Sequence, residues 1–159
     1  MALRQIVLEG DEILRKKSRE VAEVNERIVT LLDDMWETLE ENNGIGLAAP
    51  QVGVMRRIAV IDTSKDEEDA DGVKVEMINP RLLESEGEAE EEEGCLSIPG
   101  FVGAVRRPTR VKVEAVDRRG EMFTIEGEGL LAKALCHEID HLDGILFVDK
   151  ASFVRSADG

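Results

Sequence analysis

The segment His137-Glu138-Ile139-Asp140-His141 constrains this chain more than any other part of its sequence. Side chains four residues apart on an α-helix stand one above the other, so both imidazoles can reach a single metal ion. The chain has two histidines, and both are here. Glu138 is rotated away from their shared face yet stays near enough to touch a water on that ion. The fold must therefore run a helix through this segment, and it is expected from about Leu130 to Asp143. Leu130, Ala134, His137 and His141 form one stripe, so Leu130 and Ala134 should wall a pocket beside the metal. Leu131, Leu135 and Leu142 turn toward the core.

Two imidazoles do not by themselves hold a catalytic metal; three protein ligands and an exchangeable water form the working pattern. After His141 the chain holds no further His or Glu, so the third ligand is sought upstream. Cys95 is the best candidate. It sits in Glu93-Gly94-Cys95-Leu96-Ser97, where glycine permits close backbone approach and a thiolate suits Fe(II) or Zn(II). Cys136 directly precedes His137 and so points about 100° around the helix from it, which reads as a buried small hydrophobe. No basic segment followed by an apolar stretch opens the chain, so no export signal is visible. A reducing, cytoplasmic compartment is expected, where cysteines serve as ligands or buried thiols rather than disulfides.

The rest of the chain reads as one domain, residues 1–159, of the α+β class. Asp11 can cap a short turn through Ile13 and Leu14. Asn25 suits the N-cap of an N-terminal helix whose apolar stripe is Ile28, Leu31, Leu32, Met35 and Leu39, and Asn43-Gly44 supplies its left-handed stop. A glycine-rich loop is expected from Gly44 to Gly53. Strands are expected at Arg57 to Ile61, Val73 to Ile78 and Arg110 to Val116, the last turning at Arg118-Arg119-Gly120 into Met122 to Glu126. The expected architecture is therefore small, mostly antiparallel sheets packed around a C-terminal metal-binding helix. A formal charge of −15 repels nucleic acid, and no apolar run is long enough for a membrane span. Glu84, Glu86, Glu88 and Glu90 to Glu93 concentrate that charge, and a solvated strand or loop accounts for them.

Three motifs in order, Gly44-Ile45-Gly46-Leu47-Ala48-Ala49-Pro50-Gln51, Glu93-Gly94-Cys95-Leu96-Ser97 and His137-Glu138-Ile139-Asp140-His141, closely resemble those of the peptide deformylases. The resemblance extends to Gly10 through Arg15 and to Asp143 through Phe147, nearly the whole chain. It implies hydrolytic removal of the formyl group from the N-terminal formylmethionine of nascent polypeptides. It also implies Fe(II) as the metal, with zinc, nickel or cobalt able to substitute. Matched residue by residue, Cys95, His137 and His141 become the ligands and Glu138 the general acid and base. Gln51 and the backbone N–H of Leu96 become donors to the oxyanion. Gly44, Ile45, Gly46, Glu93, Gly94, Leu130 and Ala134 are expected to contact the substrate, the glycines letting it pair like an added strand.

The sequence departs from that pattern at Cys136, where many relatives have Gln, and at Val102, where several have Arg. Lys133 is an unexpectedly polar neighbour for a methionine pocket. The chain lacks the long basic C-terminal helix by which some relatives dock on ribosomes, so ribosome binding is not expected. Two other readings stay open here: a metallopeptidase cleaving ordinary peptide bonds, and a structural zinc protein with Cys136 as fourth ligand.

Overall fold

The computed structural model describes residues 2–65 and 72–158. Asp11 accepts the Ile13 N–H and opens a single turn of 3-10 helix, Glu12–Arg15. The Asn25 side chain likewise accepts the Ile28 N–H and starts helix α1, Glu26–Glu41. Ile28, Leu31, Leu32, Met35 and Leu39 are buried, as their spacing requires. Asn43, at φ 54°, makes the left-handed stop, and the Gly44 N–H closes onto Leu39 O at 3.2 Å.

Among the described residues, eight strands follow in two antiparallel sheets. β1 (Gly46–Ala48), β2 (Ile58–Asp62), β3 (Lys74–Glu86), β6 (Arg110–Val116) and β7 (Met122–Glu128) form one sheet in the order β1-β2-β3-β6-β7. β4 (Ala89–Cys95), β5 (Ile98–Arg107) and β8 (Ala151–Ser156) form the other, in the order β4-β5-β8. Helix α2 (Gly129–Leu142) comes directly after β7, and a short helix α3 (Phe147–Lys150) precedes β8. The expected α+β fold with small antiparallel sheets is what is found.

α1 packs on one face of the five-stranded sheet, where Leu32 and Met35 meet Ile58, Val60 and Ile78. α2 packs on the other face, where Leu131 and Leu135 meet Ala59, Ile61, Met77 and Val113. All five residues of β2, between the two helices, are buried. A third cluster of Leu14, Ile98, Val105, Leu146 and Phe147 lies under the three-stranded sheet.

Several expectations need correction in extent. The strand expected at Val73 to Ile78 runs on to Glu86, because the break at Asn79-Pro80 is absorbed by a register shift between Ile78 and Arg81. The glycine-rich stretch from Gly44 to Gly53 is not all loop: it holds β1 and a 3-10 turn over Ala49–Val52. Apart from the Gly87-Glu88 turn between β3 and β4, the acidic run is strand, and its carboxylates meet partners on neighbouring elements. Glu86 pairs with Arg110, Glu88 with Arg106, Glu91 with Lys133, Glu92 with Arg155 and Glu93 with Arg107. Most of these pairs are exposed, contribute little each and are screened by salt.

Candidate metal centre

The β4–β5 turn and α2 bring three ligating side chains to one point. Cys95 ends β4 opposite Ile98, with Leu96 and Ser97 making the turn between them. Its Sγ lies 3.3 Å from His141 Nε2, which lies 3.1 Å from His137 Nε2. The ligating atoms of Cys95, His137 and His141 all fall within 4.8 Å of one another. Tetrahedral bonds of about 2.0–2.3 Å set ligand atoms just over 3 Å apart, so this donor set fits a divalent ion. Cys136 lies outside the group, buried in the core between α2 and the sheet, where desolvation raises its thiol pKa.

A buried polar network orients the imidazoles. His137 Nδ1 is 2.8 Å from Glu93 Oε1, which leaves the Nε2 lone pair facing the other ligands. Arg107 holds Glu93 from the other side at 2.7 Å and reaches Asp140 of α2 at 2.6 Å. Burial alone would raise the Glu93 pKa, but hydrogen bonds from His137 and Arg107 outweigh it and bring it to about 2. Glu93 is therefore an anion that ties β4, β5 and α2 together behind the site. The two histidines respond oppositely. Burial opposes a proton on both, yet hydrogen bonds to Cys95 and Glu93 raise His137, while the neighbouring His137 charge drives His141 further down. The two rings therefore do not favour the charged form together, and a metal competes with any proton held there.

Glu138 is 3% exposed, and its Oε1 has no hydrogen-bond partner among the described residues. Burial pushes its carboxyl up to about 7, with the His137 charge pulling against that. Gly46 lies against this carboxylate, and a Cβ at that position would collide with it. Gln51 is also buried. Its Oε1 accepts the Ala48 N–H at 2.9 Å, and its amide nitrogen lies 3.1 Å from Ser97 Oγ and 3.4 Å from Cys95 Sγ.

These groups sit at the base of a pocket of about 480 Å³. Gly44, Ile45, Gly46, Glu93, Gly94, Leu96, Leu130, Ala134, His137 and Glu138 all line it. Two expected site residues lie off that surface: His141, 1% exposed, and Gln51, behind Cys95. Val102 and Lys133, two of the three residues singled out as unlike the family pattern, are in the wall, and Cys136 is not.

Residues 3–157 match the family described as polypeptide deformylase. The chain belongs to that family. It is 61% identical to the peptide deformylase of Acetivibrio thermocellus over 94% of this chain and 84% of that protein. The crystal structure of the Legionella pneumophila peptide deformylase, 47% identical, covers 94% of this chain and 86% of its own with a TM-score of 0.88. That of the Ehrlichia chaffeensis enzyme in complex with actinonin, 39% identical, reaches a TM-score of 0.90 over 96% of this chain and 90% of its own.

Sequence reasoning missed Arg107, Phe101 and Ala157. Arg107 is 5% exposed between two carboxylates, while Phe101 and Ala157 line the pocket from β5 and from the residue after β8. The consecutive basic residues Arg106-Arg107 before Pro108 were the one available hint, since a buried guanidinium demands acidic partners.

Proposed function

We propose that Cys95, His137 and His141 hold one divalent metal, that Glu138 moves the proton, and that Gln51 and the Leu96 N–H steady the oxyanion. The reaction is that of the family: hydrolysis of the amide between a formyl group and the N-terminal methionine of a nascent polypeptide, releasing formate. When bound, the metal supplies a Lewis acid that polarises the formyl carbonyl and lowers the pKa of water. Fe(II) is proposed as the native ion, with Zn(II), Ni(II) or Co(II) able to substitute, because a mixed thiolate and imidazole set suits all four.

The observation that carries this reading is a buried, unpartnered Glu138 oxygen beside a ligand set to which Glu138 does not belong. A carboxyl poised near 7 can take a proton from the attacking water and pass it to the departing amine. Charge developing on the formyl oxygen needs fixed donors. The Gln51 amide is held by Ala48 and Ser97 so that one N–H points to the Cys95 side of the site. β1 and β4 each end a sheet, so a substrate backbone can lie between Gly44-Ile45-Gly46 and Glu93-Gly94. The methionine side chain then enters among Leu130, Ala134 and the stem of Lys133.

On this reading the chain works as one catalytic domain, residues 1–159, in the cytoplasm and without direct binding to nucleic acid or membrane. A formal charge of −15 supports the part that concerns nucleic acid. No described helix is long and apolar enough to cross a membrane. Protein purified without oxygen and loaded with Fe(II) should release formate from a formyl-methionyl peptide and leave the unformylated peptide intact. Cleavage of internal peptide bonds in place of formate release would make it a metallopeptidase.

A further inference from the structure

Lys133 is one turn before His137, in the wall of a pocket assigned above to a methionine side chain. A free ammonium there would meet an apolar substrate group and lose hydration without compensation. The structure resolves this by dividing the lysine. Its side chain lines the pocket and, on the far side, a small cleft that Ala89, Glu91 and Pro108 also line. The ammonium is held by β4, 3.5 Å from a carboxylate oxygen of Glu91, which lines that cleft and not the pocket, and 3.4 Å from the Glu92 carbonyl oxygen. The methylenes remain as wall.

We infer that Glu91 is a positioning residue for substrate specificity: it holds the Lys133 ammonium out of the pocket. The pocket then selects an unbranched apolar side chain over an acidic one of the same length. This rests on the functional reading above and deepens it, since the charged wall would otherwise favour the acid. It also gives one member of the acidic run a task beyond solvation. Glu91 acts only through Lys133: its own side chain, 58% exposed on β4, is not among the residues that line the pocket.

The test compares kcat/KM for a formyl-norleucyl and a formyl-glutamyl peptide with the metal-loaded enzyme. Formate release by the unaltered enzyme is read first; its absence from both peptides would sink the functional reading, not this inference. Glu91→Gln should then lower the norleucyl-to-glutamyl ratio by about threefold to fivefold, the scale of a partly exposed ion pair. The same substitution made on top of Lys133→Met should leave the ratio of that background unchanged. Glu91→Ser provides a second variant should glutamine disturb β4, with circular dichroism and metal per chain as checks on folding. A change below about twofold, or an equal change without the lysine, overturns the inference.

Discussion

The two sheets of this molecule are held in different ways. Around β2 the five-stranded sheet is covered on both faces, by α1 through Leu32 and Met35 and by α2 through Leu131 and Leu135, while Leu82 and Leu83 of β3 and Met122 of β7 are exposed. Its second strand, β2, has no exposed residue. The three-stranded sheet has a small apolar cluster beneath it, shows Phe101, Phe153 and Val154 to solvent, and is laced by ion pairs from β4. Stability is concentrated in the first sheet. The second sheet and the inward face of α2 contribute the three side chains proposed as ligands, the Glu93–Arg107 network and most of the pocket wall. A covered sheet gives rigidity, while a narrow polar one leaves room for side chains that must face a substrate.

If that division is right, the largest effects on turnover arise from α2 without loss of fold. Glu138→Gln should keep its metal and its melting temperature while kcat falls by about two to four orders of magnitude, as expected when a general acid and base is removed. Glu138 acts as a base when deprotonated, so kcat/KM should fall as pH drops through its pKa. That pKa is about 7 from burial, and a bound cation moves it lower. The acid limb should thus lie at or below about 7 and vanish in the glutamine variant. Metal lost outright, or near-normal turnover, would break the comparison.

The second prediction reverses the roles. Leu32 is fully buried under the five-stranded sheet, so Leu32→Ala should cost about 2–5 kcal/mol in denaturant unfolding. Metal per chain and kcat of the folded protein should hold. A large drop in kcat at full metal occupancy would show that the frame and the site are not separable. The smallest effect is expected at the Arg155–Glu92 pair, which is exposed and joins β8 to β4. Arg155→Ala should lower the melting temperature by no more than about 3 °C, and by less in high salt.

The same contrast explains what the sequence disclosed. α1, α2 and the β6–β7 hairpin are local: Asn25, the stripe from Ile28 to Leu39, and Gly120 at φ 82° announce them within a few residues. His137 and His141 are local in the same sense, one turn apart on a helix. Cys95 was legible as their partner by the lack of any ligand downstream and through the family motif, and the structure brings it beside them. β4, β5 and β8 were not legible as strands. β4 is mostly glutamate, a poor strand former, and β5 is interrupted by Pro99, Gly100 and Gly103. Their partners lie far along the chain, Arg107 with Asp140 and Glu92 with Arg155, and no local pattern encodes such pairings.

The account stands or falls on which side chains bind the metal, and a crystal structure of the Fe(II)- or Ni(II)-loaded protein at that metal's absorption edge shows this directly. One ion per chain should appear, bonded to Cys95 Sγ and to Nε2 of His137 and His141, with the Glu138 carboxylate beside the ion but not bonded to it. An ion held by Cys136 or Glu138, or no ion between β4 and α2, would contradict it.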